Sequence, residues 1–173
     1  DERGKTSAYI AIQRDITDCK RAEEALRETE ERFRSIFETT QDSVFIKDRT
    51  LKYTIVNPAM EKLFGLPSSK LIGKTDDDLF DKKDASHIRR VDSRVLKGQV
   101  VEEDITKKIK GIPFAFHIIK VPMRDSSGEV IGLCGIARDI TERKRLEEEL
   151  RERRMYLESI MRYIPEAIVT QDA

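Results

Sequence analysis

The side chains best suited to bind a ligand or an ion are three consecutive aspartates and two lysines near the ends of predicted strands. The run Asp76–Asp78 could bind a cation, but three adjacent carboxylates point in different directions on a helix, and acids are typical of a helix N-terminus. Lys47 and Lys120 could each pair with a ligand carboxylate, although such lysines more often extend to solvent. The sequence predicts no cation site here and leaves both lysines as possible ligand partners.

No group of residues has the spacing of a catalytic site. Serine and cysteine lack a histidine partner in a recognisable setting, and there is no P-loop or glycine fingerprint. Kinase, cyclase and receiver signatures are also missing from this sequence. The two cysteines, Cys19 and Cys134, belong to no C-x-x-C pair, so neither zinc nor a disulfide is indicated and a cytoplasmic location is expected. We predict a regulatory fragment that is not an enzyme and binds no metal.

The charge balance argues against nucleic acid as a partner. Lysine plus arginine number 33 and aspartate plus glutamate number 33, so the net charge is zero and no basic footprint is present. The apolar runs are a few residues long, so no membrane contact is predicted for these residues, although a parent protein could be membrane-anchored.

A long internal repeat organises the chain. The letters RDIT occur at Arg14–Thr17 and again at Arg138–Thr141, 124 positions apart, and about 15 of the 38 residue pairs that this offset aligns are identical. A period of this length indicates an array of domains. We predict a strand remnant of one unit over 1–17, a connector helix over 18–40, a complete domain over 41–141, a second connector helix over 142–164 and the start of another unit over 165–173.

Both connectors have apolar residues at heptad spacing, which favours pairing with a second copy of the same helix. Each seam covers about three heptads and contains a polar residue, so either would be marginal alone. A surface helix lying on its own domain is the alternative. The residues predicted to form the dimer contact are Leu26, Phe33, Ile36, Leu146, Leu150 and Leu157.

Between the connectors, two strands precede several short helices and a longer helix over Ala85–Lys97, for which Asp84 is the predicted cap. Three strands follow, the last two joined by the turn RDSSGE. Strands on both sides of a helical block predict an α+β domain with an antiparallel sheet.

The stretches VNPAMEKLFG, LIGKT and FHIIKVPMRDSSGEVIGLCGIARDIT resemble the PAS family over about residues 33–141. The resemblance implies a five-stranded antiparallel sheet with short helices over one face, flanked by long N- and C-terminal signalling helices. It also implies an interior pocket, a homodimer, and adjacent PAS units in the same chain. The expected function is a sensory and relay module of a signalling protein such as a sensor histidine kinase.

The resemblance also indicates which residues would face the pocket. They are Phe116, Ile118, Leu133, Gly135, Ala137, Val91 and Val95. Gly135 and Ala137 are small and could leave room for a small-molecule ligand, whereas a core filled by Phe114, Phe116 and nearby aliphatic residues is the alternative. A filled core would make the domain a ligand-free dimerisation and spacing element.

The two RDIT motifs mark the predicted signal junctions. Asp139 and Thr141 lie where the last strand becomes a helix, and Asp15 and Thr17 do so for the preceding unit. We expect each threonine to cap its helix and each aspartate to pair with a nearby base, which would attach the helix to its domain. Simple helix caps are the alternative.

No bound cofactor is the leading expectation. Flavin is disfavoured because the segment KTDDDLFD lacks the cysteine of light-sensing relatives and Ala137 occupies the position of the flavin-facing amide. Haem is possible through His87, which lies where oxygen-sensing PAS kinases carry their iron ligand. An exposed histidine beside two arginines is the alternative.

Overall fold

The computed structural model describes the backbone of residues 17–169 and the side chains of residues 20–162. The chain forms two compact units, residues 1–37 and residues 38–173. The described residues of the first unit belong to helix α1, Thr17–Thr39. Its exposed surface is crossed by ion pairs one turn apart, such as Arg27 Nε to Glu31 Oε1 at 3.7 Å, which is typical of a solvated helix. The helix predicted over 18–40 is therefore observed.

The second unit contains a single five-stranded sheet in the order β2-β1-β5-β4-β3. Every pair of neighbouring strands is antiparallel. The strands are β1 Ser43–Asp48, β2 Tyr53–Val56, β3 Val101–Ile109, β4 Ile112–Arg124 and β5 Val130–Asp139. The predicted α+β fold with a five-stranded antiparallel sheet is confirmed.

Four helices between β2 and β3 cover one face of the sheet. They are α2 Pro58–Phe64, α3 Ser68–Leu71, α4 Asp76–Leu79 and α5 Lys82–Leu96. Asn57 caps α2 by accepting a hydrogen bond from the Met60 amide at 3.1 Å, and Gly65 ends it with φ 58°. These local signals define the start and the end of α2 within a few residues.

The start of α5 differs from the prediction. Asp81, rather than Asp84, is the cap, because its carboxylate accepts the Asp84 amide at 2.8 Å and the helix begins at Lys82. Asp84 instead accepts a hydrogen bond from Lys107 of β3 at 2.9 Å. Two aspartates three residues apart are equally good caps by type, and the tertiary ion pair decided between them.

Helix α6, Thr141–Val169, follows β5 directly. The predicted end of this helix at residue 164 is wrong, since the helix continues to Val169. A lone strand needs a partner for its backbone hydrogen bonds, whereas a helix satisfies its own. The assignment of residues 165–173 to a following unit stays a prediction, and residues 170–173 lie outside the described part. No helix within the described residues is long and apolar enough to cross a bilayer.

Candidate functional site

A small pocket lies in the interior of the second unit, between the sheet and helices α2, α4 and α5. Its volume is about 50 Å³. Its walls are largely aromatic and aliphatic, with lysines from three strands and one aspartate among them. The residues that line it include Phe45, Lys47, Asp76, Lys107, Phe116 and Lys120.

Three of the residues that the sequence assigned to a pocket line it, namely Phe116, Ile118 and Ala137. The other four are buried beside it and do not line it: Leu133, Gly135, Val91 and Val95. The expectation that Gly135 leaves room for a ligand is wrong, because a Cβ at Gly135 would lie 2.2 Å from Cζ of Phe45. The space above this glycine is filled by the Phe45 ring, which pairs with it across β1 and β5.

A network of buried charges forms one side of the pocket. Lys47 is fully buried, and its Nζ lies 2.6 Å from Oδ2 of Asp76 and 2.7 Å from Oδ2 of Asp92. The same ammonium group lies 4.5 Å from the centroid of the Tyr53 ring. The usual extension of a lysine to solvent therefore does not apply to Lys47, because two aspartates from the helical layer compensate its charge inside the core.

Lys120 and Tyr53 complete the network. Lys120 Nζ donates to Oδ1 of Asp92, and the Tyr53 hydroxyl donates to Oδ1 of Asp76 at 2.7 Å. Burial lowers the pKa of Lys120, and nearby Lys47 lowers it further, while Asp92 opposes the shift. Burial, followed by the charge of Asp76, raises the pKa of Tyr53 well above its ordinary value. Two lysines and two aspartates thus belong to one buried, hydrogen-bonded cluster.

The three consecutive aspartates have three different roles. Asp76 belongs to the buried network, Asp77 pairs with Arg89 on the surface, and Asp78 caps α4 by accepting the Thr75 amide at 2.8 Å. The prediction that they point in different directions is confirmed. The burial of Asp76 was not predicted, because an acid in the first turn of a helix is normally solvated.

The positions of the lysines and of Asp92 in the sequence already indicate this network. Lys47 shares the strand face of Phe45, and Lys120 shares the face of Phe116 and Ile118. Asp92 falls on the buried stripe of α5 formed by Ile88, Val91 and Val95. Two lysines and an aspartate at core positions indicate mutual pairing, since isolated buried charges are unstable.

The junction between β5 and α6 is held by hydrogen bonds to Ala115 of β4. The Thr141 hydroxyl accepts the Ala115 amide at 2.9 Å, and the Ile140 amide donates to the Ala115 carbonyl at 2.8 Å. Asp139 accepts the Thr141 amide at 2.8 Å. The predicted roles are therefore exchanged: the aspartate caps the new helix, and the threonine, which is its first residue, attaches it to the sheet. Asp15 and the side chain of Thr17 lie outside the described residues.

The predicted pairing of Asp139 with a base is not observed within residues 20–162. The neighbouring Arg138 forms the ion pair instead, with its Nη2 2.9 Å from Oδ2 of Asp42. A second link joins the helix to the sheet, where Lys144 Nζ lies 3.0 Å from Oδ2 of Asp104 on β3. Hydrogen bonding to His117, with a smaller contribution from Lys144, holds the pKa of Asp104 below its ordinary value.

His87 does not reach the pocket. Its Nε2 lies 3.2 Å from Oε1 of Glu103, and about a third of the side chain is exposed, whereas the next residue, Ile88, lines the pocket. A pocket of about 50 Å³ is also far smaller than a porphyrin. The residues present do not fit a haem bound through His87, because the imidazole faces a carboxylate at the surface.

The apolar residues predicted to pair connector helices are exposed in both units. In α1, Leu26, Phe33 and Ile36 are 60%, 58% and 72% exposed. In α6, Leu146, Leu150 and Leu157 are 51%, 69% and 52% exposed. The series on α6 is not covered by the unit to which α6 belongs, so for α6 the alternative of a helix lying with this face on its own domain is not observed.

Comparison with known families shows to which family this fold belongs. The family model described as PAS fold matches residues 37–145. The chain belongs to the PAS family. This PAS domain is 44% identical over 126 residues to the methanogenesis regulatory histidine kinase FilI of Methanothrix harundinacea (strain 6Ac), an alignment that covers 72% of this chain and 14% of FilI. It is 37% identical over 111 residues to a diguanylate cyclase of Vibrio cholerae, covering 62% of this chain and 35% of the cyclase.

Solved PAS structures share the architecture. The structure of the VqmA dimer of Vibrio cholerae in the absence of target DNA superimposes with a TM-score of 0.57 at 26% identity, covering 62% of this chain and 50% of that one. The relatives identify a sensory PAS module of signal transduction, which is a regulatory unit, as the sequence predicted. The chain spans about a seventh of FilI and about a third of the cyclase.

Proposed function

We propose that this chain is the sensory and relay part of a longer signalling protein, with a histidine kinase as its output. The PAS core passes its state to α6, and the flanking helices pair in a parallel homodimer that carries the change onward. The greater identity to FilI than to the cyclase favours kinase output.

The observation that carries the proposal is the position of Ala115 next to Phe116. Phe116 lines the pocket, while Ala115 makes two hydrogen bonds to the start of α6. Adjacent residues of a strand face opposite sides of the sheet. A displacement of Phe116 that shifts its backbone therefore acts directly on the residue that holds the helix.

Exposed leucines on α6 support the dimer. They recur at heptad spacing along a helix that is otherwise charged, and their burial requires a partner from outside the described unit. The VqmA dimer shows that a protein with a similar PAS fold assembles as a dimer. Helices paired in this way can transmit rotation or a change of register.

Insertions into α6 test the relay. One added residue within Glu147–Arg154 rotates everything beyond it by about 100°, whereas seven residues return nearly to the original phase. In the full-length protein, autophosphorylation should change sharply with one inserted residue and return with seven. The same insertions in the exposed turn at Asp125–Gly128 are the control. Output that is identical for every insertion length would disprove phase-dependent transmission.

A ligand-free dimerisation and spacing element is the second candidate. It is favoured by the small volume of the pocket, which the Phe45 ring and other core side chains reduce. Native mass spectrometry of the purified protein separates the two: a bound mass supports a sensor, and bare protein that still relays an upstream signal supports the spacer.

A further inference from the structure

Lys120 has more hydrogen-bond donors than acceptors around it. An ammonium group carries three N–H donors. Among the described residues, Lys120 donates one hydrogen bond, to Asp92. Lys120 is only 3% exposed, so bulk water does not satisfy the remaining donors. Buried donors without acceptors are costly, which makes this part of the pocket favourable for an added acceptor.

The remaining donors lie beside the pocket. Lys120 lines it, and its Nζ lies 5.8 Å from the centroid of the Phe45 ring, which also lines it. Lys47, by contrast, binds carboxylate oxygens of both Asp76 and Asp92. Of these two lysines, Lys120 is therefore the one with donor capacity left for a ligand. Lys107 also lines the pocket and donates one hydrogen bond, to Asp84, but within residues 20–162 it forms no ion pair with the network of Lys47 and Lys120.

The charges of the network determine the charge of that ligand. Lys47 and Lys120 are balanced by Asp76 and Asp92, and Lys107 is balanced by Asp84 at 2.9 Å. An anion placed among them would leave a net buried charge, and a cation would do the same. A neutral group with a hydrogen-bond acceptor adds no charge and satisfies Lys120.

The size of the pocket limits the ligand to a few heavy atoms. One water needs roughly 10–15 Å³ of such space, so about 50 Å³ admits about three to five heavy atoms. The aromatic and aliphatic walls favour an apolar body. A wide groove of about 680 Å³ beside Asp139 shares Ser43, Leu63, Phe116 and Ala137 with the pocket, so these four residues lie between the pocket and the surface.

We propose that the pocket binds a small neutral molecule with an apolar body and one carbonyl oxygen, which accepts a hydrogen bond from Lys120. The proposal rests on the sensory role proposed above. The bound molecule would lie against Phe116, one residue from the attachment of α6.

Three probes of matched shape test this chemistry on the 173-residue chain. They are 2-butanone, its isostere 2-methyl-1-butene, in which a methylene replaces the carbonyl oxygen, and propionate. Dissociation constants are measured by ligand-observed and protein-observed NMR, which detect weak binding. We expect 2-butanone to bind about tenfold or more tightly than either of the others, the factor expected for a hydrogen bond from a charged donor.

Lys120→Met removes the donors at similar length. We expect this variant to lose the preference for the ketone over the alkene, while Lys70→Met, a change at an exposed lysine of α3, keeps it. In the wild-type chain labelled with ¹⁵N-lysine, 2-butanone should shift the Lys120 side-chain resonance and leave those of surface lysines unchanged. This measurement tests the contact between the ketone and Lys120 even if Lys120→Met does not fold.

Equal affinity for ketone and alkene, tighter binding of propionate, or a pocket that holds water alone would each overturn the proposal. So would a ketone preference that survives Lys120→Met. The α6 insertions are independent of these results, because phase-dependent output without probe binding would reject the ligand and retain the relay.

Discussion

The interior of the PAS domain and the surface of its helix α6 have opposite compositions. The interior contains Lys47, Lys120, Asp76 and Asp92, while α6 exposes leucines along its length. In the interior, each charge has a partner in the same unit at hydrogen-bond distance. The leucines of α6 are more than half exposed in that unit. Every charge of the interior is paired within one chain, whereas the leucines of α6 can be buried only by a partner from outside the unit.

The two regions also differ in how easily their packing can change. Ion pairs in a low-dielectric core hold their geometry, because a displaced charge loses its compensation. A helix whose apolar face is shared with a second copy can exchange one packing arrangement for another of similar energy. The attachment at Ala115 joins the two regions.

Asp92→Ala should have the largest effect. It leaves Lys47 and Lys120 buried with one of their acceptors removed, which costs about 3–5 kcal/mol in the free energy of unfolding. Urea denaturation followed by circular dichroism measures this. Asp77→Ala removes an exposed aspartate that pairs with Arg89 and should cost less than about 1 kcal/mol. Equal losses for the two variants would show that the network is not a buried one.

Phe116→Ala should destabilise the domain by about 3 kcal/mol, because the ring is 4% exposed and its removal enlarges an existing cavity. The same denaturation experiment measures it. Phe114→Ala is the matched control, since that ring is only partly buried and stacks on Phe116 at 5.9 Å. If Phe116→Ala costs well under 1 kcal/mol, the ring does not fill the pocket wall.

Thr141→Val should cost about 1–2 kcal/mol, because it leaves the Ala115 amide without its acceptor. Hydrogen exchange should accelerate at Ala115 and over the first turn of α6, while the central strands remain protected. Thr54→Val, at an exposed position of β2 on the far side of the sheet from β4, provides the control. Unchanged exchange at Ala115 would mean that the threonine does not attach the helix.

Acid should loosen the second attachment of α6. The folded pKa of Asp104 lies below the ordinary 3.8, so its stabilising effect is present above pH 3.8 and is lost as the pH falls through the lower folded value. Exchange at Lys144 should rise in that window. Asp104→Asn should abolish the pH dependence. A profile that is the same in both proteins would assign it to other carboxylates.

Leu150→Glu should have the smallest effect on folding and a large effect on association. Leu150 is 69% exposed, so the folded monomer should lose less than about 0.5 kcal/mol. The dimer dissociation constant, measured by sedimentation, should rise at least tenfold, because a charge would enter an apolar seam. Arg151→Glu, next to the seam, should leave it nearly unchanged. Dimerisation that is insensitive to Leu150→Glu would place the interface elsewhere.

Much of the fold could be predicted because its signals are local. Asn57, Pro58 and Gly65 define α2 through contacts within a few residues, and the alternation of β1 and β5 gives their buried faces. The β5 to α6 junction was located correctly, although Asp139 and Thr141 exchange their expected roles. That exchange depends on the Ala115 amide of another strand, which the local sequence does not reveal.

The antiparallel α+β fold and the existence of its helices and strands could be predicted from the amino-acid sequence, because helix caps, turns and periodicity act over a few residues. The contacts of Lys47 with Asp76 and Asp92, residues 29 and 45 positions away, and of Lys120 with Asp92, 28 positions away, depend on how the whole chain folds. A lysine on a strand is usually solvated. It becomes a core residue only when folding brings carboxylates close enough to compensate the loss of water.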